Sequence, residues 1–470
     1  MKSIANQAIK IIFISTLSFL LCVCCTQTST PAPQITVDVS QVLTDISHNP
    51  IGINLNFLLD NETVTKASRN LNLGSLRYPI GEIADYYLFD RNQPTQPKIS
   101  IQDSSLWFSN FTNPDGTWKN LFNFDQFVSV CRSLNTEPFV VVGIDTLAYT
   151  GSSPHAQLEE VLQAAVDWVK YANFIKGYNI KYWEIGNEND LAHDSVKWTA
   201  ESYAHTVVKF SQAMKQIDPG IEIGVNGMTG SAWWDKVMPI VKNDVDFLVT
   251  HQYSSMGNYQ QWKTNNWNYT SNLETAQQAI ATYNPELELN VTEVSSFNPG
   301  VPQANNIWKM LHNFEMLGNL LCFDKVSYFH FWISRWFTNN PYLIDASLFN
   351  NNYQLMPMGY PLKIWSSFLK QQMVFSTKQV GKIRSWASYD PTDASLNIFL
   401  LNKDEGDRQL SIELKNYNAI MNAQTWVLSG ETPYTTKPIW NQVHTLPQLK
   451  KSSINLKLQP LSITVIAIEQ

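Results

Sequence analysis

The stretch "KYWEIGNEND", Lys181–Asp190, decides the reading of this chain. Tyr182, Trp183 and Ile185 are β-branched or aromatic and read as a buried strand, while Gly186, Asn187 and Glu188 close it in residues that suit a turn. A buried strand that carries a carboxylate to its very end needs a reason. In a (β/α)8 barrel the C-terminal ends of the strands are where functional groups gather, so a Glu at that place is a candidate for chemistry. Glu184 lies inside the strand, where a solvated carboxylate or a structural ion pair is the plainer expectation.

Working outward, the chain alternates strand and helix patterns from about Ile51. The strand candidates are "IGINLNF", "SLRYP", "FVVVGID", "KYWEIGNE", "IEIGVNG", "DFLVTHQY", "ELNVTEVS" and "KVSYFHFW". Short apolar runs of this kind suit parallel strands covered by helices. Between them, Tyr203, Val207, Phe210, Met214 and Ile217 recur at helical spacing before Asp218-Pro219-Gly220 stops the helix. "EEVLQAAVDWVKYANFIKG" and "IWKMLHNFEMLGNLL" behave alike. Eight strands, each followed by a helix, predict a (β/α)8 barrel over 48–372. A doubly wound open sheet is the alternative, but no Gly-rich nucleotide fingerprint follows the first strand. From Met373 the pattern switches to period 2 ("ASLNIFLLNK", "RQLSIELKNY", "AQTWVLSG", "SITVIAIEQ") with turn-rich separators, which predicts an antiparallel β-sandwich over 373–470. "QITVDVSQ", within the stretch 26–47, is an early strand expected to join that sandwich, so that both ends of the chain build the smaller domain.

Composition narrows the function classes. A formal charge of −7 opposes a nucleic-acid partner. The 16 Trp and 19 Tyr suit either cores or sugar-facing clefts. Residues 1–25 read as a secretory signal: Lys2 and Lys10, then the apolar "IIFISTLSFLLCVCC". Cys24 or Cys25 is a candidate lipid-accepting cysteine, against the alternative of an ordinary cleaved signal. Either route predicts an exported protein, secreted or in the periplasm or cell envelope, touching a membrane only through such an anchor. Cys131 and Cys322 are too few for a disulfide framework, and Cys131 reads as a buried thiol.

Within the barrel pattern, Glu188 ends the fourth strand and Glu293 stands near the end of the seventh. Two carboxylates meeting across the top of a barrel can divide acid/base and nucleophilic work; in a retaining glycosidase they stand about 5–5.5 Å apart. His251 and Tyr253 end the sixth strand beside Glu293, where a Tyr hydroxyl can hold a carboxylate ionised. A lone barrel His is more often a core residue. Arg77 ends the second strand and can neutralise a carboxylate of the site, or else pair with Glu82 or Asp85. Asp145 ends the third strand and is a candidate hydroxyl binder or a cap for the loop that follows. Trp332 and Trp336, with Trp233, Trp234 and Tyr149, are candidates for stacking on sugar rings, some of them only core.

These residues carry a resemblance. "WEIGNE", "HQY" and "VTEVSS" on strands four, six and seven resemble the retaining glycoside hydrolases of clan A, most closely families 51, 39 and 79 (arabinofuranosidases, β-xylosidases and glucuronidases of heparanase type). "LRYPIGEIADYY" is similar to their Arg-Pro-Gly-Gly region, and "FHFWIS" with the following "LIDASLFNNNYQLMPMGYPLKIW" resembles their last strand and helix. The resemblance implies a barrel with a β-sandwich, Glu188 as acid/base, Glu293 as nucleophile, Asn187 on the sugar 2-hydroxyl, and neither metal nor organic cofactor. It implies an oligo- or polysaccharide substrate, first an α-L-arabinofuranoside, with β-glucuronidase, β-xylosidase or endoglycanase action as alternatives. Ile80 and the "END" after Asn187 depart from the pattern in loops that face substrate. From another class, a non-catalytic sugar-binding protein would keep the barrel, but the presence of both glutamates speaks against it. Asn61, Asn110, Asn268 and Asn290 begin Asn-X-Thr sequons, of which Asn290 falls inside a predicted strand. Oligomeric state is not legible in the sequence.

Overall fold

Eight short parallel strands close on themselves in a computed structural model of the chain, which describes residues 34–102, 109, 111–191, 195–228, 230–296, 305–336, 346–417, 422–443, 449–450 and 452–469. The predicted signal segment and the sequon at Asn110 lie outside the described residues. Strand β1 (Gln34–Asp45) precedes the barrel. The barrel strands are β2 (Ile51–Asn54), β3 (Ser75–Tyr78), β6 (Glu137–Val142), β7 (Tyr182–Ile185), β8 (Glu222–Asn226), β9 (Phe247–Tyr253), β10 (Glu288–Ser295) and β11 (Val326–Phe331). They are the eight runs read from the sequence, paired in chain order, with β11 returning to β2. Between β3 and β6 a small hairpin, β4 (Tyr87–Leu88) with β5 (Lys98–Ile99), stands outside the barrel.

The helices form where the apolar spacing placed them. Ala200–Ile217 opens on a capping box in which Thr199 and Ser202 satisfy each other's backbone N–H, and it buries Tyr203, Val207, Phe210 and Met214. Phe124–Leu134 opens on a second box, Asn123 with Gln126, and buries Cys131 as expected. Leu158–Val169 continues into a π-helical turn, Lys170–Ile175, where the sequence pattern gives one uninterrupted helix. Trp233 and Trp234 sit on the helix Ser231–Val241 and are buried, so they are core rather than sugar platforms. Asn290 is fully buried in β10, in keeping with an accidental sequon.

The C-terminal strands are β12 (Gln372–Ser376), β13 (Gln379–Val380), β14 (Ile383–Asp390), β15 (Ser395–Asn402), β16 (Arg408–Lys415), β17 (Asn422–Ser429), β18 (Ile439–Val443), β19 (Leu449–Lys450), β20 (Ser453–Leu458) and β21 (Ser462–Glu469). β1 joins them between β12 and β16, antiparallel to the first and parallel to the second. One core collects Ile398 and Ile466 with Ile412 and Leu456. Since β15 and β20 stand far apart in the strand order, the sheet folds over itself as a sandwich. Glu315, on the barrel helix Ile307–Leu321, ties the barrel to the sandwich. Its carboxylate accepts from Arg384 Nε (2.8 Å) and Lys403 Nζ (2.9 Å) of the sandwich and from Trp262 Nε1 (2.7 Å) of the connection after β9. Burial pushes the Lys403 ammonium down to about 8 despite Glu315.

Candidate active site

β7 stops at Ile185, three residues before Glu188, and the chain turns sharply. Gly186 has φ +77°, and a Cβ there would lie 1.9 Å from Asn189 Oδ1, so only glycine fits. Glu188 itself has φ +48°, a left-handed backbone uncommon for a residue with a side chain. The expected strand through Glu188 is therefore a strand plus a tight turn. Hydrogen bonds from Gly186 N to Val142 O (2.8 Å) and from Leu191 N to Glu188 O (2.8 Å) hold its two ends.

The turn delivers Glu188 to the residues that end β9 and β10. His251 Nδ1 stands 2.7 Å from Glu188 Oε1 and 3.6 Å from Glu293 Oε2. Tyr253 donates its hydroxyl to Glu293 Oε2 at 2.5 Å. One oxygen each of Glu188 and Glu293 and a ring nitrogen of His251 lie within 4.8 Å of one another. Arg77, fully buried at the end of β3, is the hub beneath them. Nη1 donates to Glu293 Oε1 (3.0 Å) and Asn54 Oδ1 (3.0 Å), and Nη2 to Asn187 Oδ1 (2.8 Å). Nε and Nη2 clasp Glu184 in a fork of 2.9 and 3.0 Å. Glu184 is thus a structural ion pair of the barrel, and Arg77 pairs with it and Glu293 rather than with Glu82 or Asp85. Asn187 Nδ2 is buried and has no partner among the described residues, pointing an open donor into the site.

The charges explain one another. Burial raises the Glu293 carboxyl above its ordinary range and Glu188 adds to the rise, while His251, Arg77 and the Tyr253 hydroxyl oppose it. Burial disfavours a charged His251, yet the Glu293 charge and the bond to Glu188 outweigh that and leave its pKa raised. Tyr253 is pushed well above the usual phenol range by burial and then by Glu293, so it stays a donor. A metal ion could use the spacing of Glu188, His251 and Glu293. However, Arg77 already supplies the positive charge on Glu293, and His251 spends Nδ1 on Glu188 and Nε2 on Thr292 Oγ1 (3.1 Å).

Of the remaining predicted residues, Trp332 directly follows β11 and is buried. It packs on Gly81 (φ +52°), where a Cβ would meet its ring at 2.4 Å, and tilts against Trp336 with ring centres 5.3 Å apart. Asp145 is buried and spends Oδ1 on Asn189 Nδ2 (2.7 Å) and Trp198 Nε1 (2.8 Å), so that oxygen serves the protein rather than a sugar hydroxyl. Tyr149 lies beside His155, ring centres 5.5 Å apart. Sequence reasoning missed Asn54, Thr292, Asn189 and Asn226. Asn54 and Asn226 are polar residues at the ends of apolar strands, the same signal that exposed Glu188.

Residues 69–269 match the family model described as "Alpha-L-arabinofuranosidase 1 domain". The match takes in Arg77, Asn187, Glu188, His251 and Tyr253 and ends before Glu293. The chain is 29% identical over 188 residues to the probable alpha-L-arabinofuranosidase C of Aspergillus niger, covering 37% of this chain and 33% of that protein. It thus spans about a third of the length of the curated relatives it matches. Among solved structures, the alpha-L-arabinofuranosidase of Thermotoga maritima in complex with arabinose superposes with a TM-score of 0.73 at 16% identity, over 93% of this chain and 100% of that one. A family 51 alpha-L-arabinofuranosidase from Bifidobacterium longum gives 0.73 at 16%, over 94% and 100%. At such identity the structures speak for the fold, a barrel with a β-sandwich. Together with the family model and the curated relatives they bear out the resemblance to family 51 of clan A.

Proposed function

We propose that this chain is an exported, retaining glycoside hydrolase acting on α-L-arabinofuranosides, with Glu293 as nucleophile and Glu188 as acid/base. The observation that carries the reading is the approach of the two carboxylates. Oxygens within 4.8 Å suit direct attack on the anomeric carbon, whereas inverting enzymes hold their carboxyls about 6.5–9.5 Å apart to admit a water.

Two carboxylates this close ionise together only at a cost, so the pair carries one proton. Both Glu293 oxygens already accept bonds, from Arg77 and Tyr253, so the proton belongs on Glu188. Glu293 attacks C1 as Glu188 gives its proton to the departing oxygen, forming a glycosyl ester. With the Glu293 charge consumed, Glu188 is free to take a proton from water. That water attacks C1, breaks the ester and returns Glu293 as a carboxylate, and two inversions leave the sugar's configuration retained. Asn187 Nδ2 is the donor placed for the 2-hydroxyl, a bond that strengthens as charge develops on the ring. Arg77 holds Asn187 and Glu293 in one frame through a single guanidinium.

The arabinofuranoside is chosen because the family model and the curated relatives bear that name. Export rests on the charged start and apolar run of residues 1–25. The test is hydrolysis of aryl α-L-arabinofuranoside, β-D-xyloside, β-D-glucuronide and β-D-glucoside, with Glu293→Gln beside the unaltered protein. Release from the arabinofuranoside alone, lost in the variant, is expected. Release from another glycoside instead would reassign the sugar, and inertness on these and on polymers would favour a binding protein.

A further inference from the structure

Building on the proposed hydrolase reading, we infer that Asn189, clamped by Asp145 and Asn226, is a positioning residue that aims Glu188 at the leaving-group oxygen. Glu188 sits on a left-handed backbone with a φ of +48°, a conformation that persists only where its surroundings impose it. Its neighbour supplies the constraint. Asn189 Nδ2 donates to Asp145 Oδ1 (2.7 Å), and Asn189 Oδ1 accepts from Asn226 Nδ2 (2.8 Å). The Asn189 backbone N–H donates to Asn226 Oδ1 (3.1 Å). Both ends of the amide and the main chain beside it are therefore fixed.

The anchors are themselves held. Asp145 Oδ1 also accepts from Trp198 Nε1 (2.8 Å), and Asn226 Nδ2 also donates to Ile185 O (2.9 Å) at the end of β7. Tyr203 closes the frame by donating to Ile185 O (2.9 Å) and accepting from Asn226 N (2.8 Å). All three side chains of the clamp are buried: Asn189 1%, Asn226 2% and Asp145 6% exposed. The clamp joins the segments that follow β6 and β7 to the end of β8. It contacts neither Glu293 nor Arg77 in any of these bonds. The Asn after Glu188 is thereby given a purpose where the sequence had shown only a departure from the family pattern.

Because the clamp adjoins Glu188 and none of its bonds reaches Glu293 or Arg77, its loss is expected to weaken acid catalysis and spare nucleophilic attack. Acid catalysis matters when the leaving group is basic and hardly at all when it leaves as a stable anion. A misplacement of about 1 Å can cost roughly 100-fold. The experiment measures kcat/KM for unaltered protein and Asn189→Ala on two aryl α-L-arabinofuranosides, one with a 4-methylphenol leaving group and one with 2,4-dinitrophenol. A fall of about 100-fold on the first, with less than about threefold on the second, is expected. An equal fall on both, or none on either, overturns the inference while leaving the hydrolase reading in place. Should the unaltered protein cleave neither aryl glycoside nor arabinan, both readings fall together. If Asn189→Ala does not fold, the same split must appear in Asp145→Ala and vanish in Asp145→Asn, whose amide oxygen can still accept. Absence of the split there overturns the inference equally.

Discussion

Replacing Tyr253 by Phe removes a single hydroxyl and leaves the ring in place, which makes it a sharp probe of how Glu293 is kept ionised. The hydroxyl donates to Glu293 Oε2 at 2.5 Å in a partly buried setting. A bond to a charged group contributes about 1.5–3 kcal/mol. One pKa unit corresponds to about 1.4 kcal/mol, so the Glu293 pKa should climb by roughly 1–2 units. The sign follows from which form the bond favours. The hydroxyl stabilises the carboxylate, so without it a larger share of Glu293 is protonated at any acidic pH. The acid limb of kcat/KM, which reports ionisation of the nucleophile in the free protein, should therefore move to higher pH by roughly 1–2 units. The assay is the pH profile of aryl arabinofuranoside hydrolysis at substrate well below KM, with thermal melts run beside it. An acid limb that stays where it was, in a variant that melts like the parent, would refute the reasoning.

Other variants test the frame around the site. Glu184→Gln strips the fully buried Arg77 of one of its two counter-charges, so urea unfolding should show a loss of about 3 kcal/mol, whereas Glu293→Gln, which leaves the Glu184 fork intact, should cost less. Equal stability of Glu184→Gln and the parent would contradict this. Asp60, buried after β2, has its pKa raised to about 6, above all by burial. The folded protein then binds a proton that the unfolded chain has released, so this group's contribution falls as pH rises from about 4 to about 6. Asp60→Asn should therefore gain on the parent across that window, by at most about 3 kcal/mol, measured as the difference in unfolding free energy at each pH. A difference that does not change with pH would dismiss the buried proton.

The barrel was legible because each of its eight strands is a short apolar run, and a covered parallel strand can hardly be anything else. Glu188, Glu293, His251 and Tyr253 were legible as polar residues at the ends of such runs, and the structure brings them together. Asp145 was read as ending the third strand, but β6 stops at Val142 and Asp145 opens the 3-10 turn Asp145–Ala148, and its partners were not legible. Asn189 and Trp198 reach it from the segment after β7, and no spacing within one element announces a contact between two loops. The turn at Gly186–Glu188 was legible in its residue types, but the strand was carried on to Glu188, and the left-handed backbone of Glu188 was not legible. Trp233 and Trp234 looked available to a sugar because an aromatic near a loop reads the same whether it faces solvent or core. In the sandwich, β15, β16, β17 and β21 announced themselves by alternation. β14 was hidden because Arg384, Ser385 and Ser388 interrupt its apolar residues, although Ile383–Ser388 are all buried.

The most direct test of the central claim, that Glu293 is the nucleophile of a double displacement, is intact and peptide mass spectrometry of Glu188→Ala mixed with 2,4-dinitrophenyl α-L-arabinofuranoside. With a leaving group that needs no proton and no base to activate water, the glycosyl ester should accumulate. A burst of one dinitrophenolate per protein, with a single pentosyl unit on the peptide containing Glu293, is the predicted result. Steady release with no adduct, or an adduct on any other residue, would contradict the account.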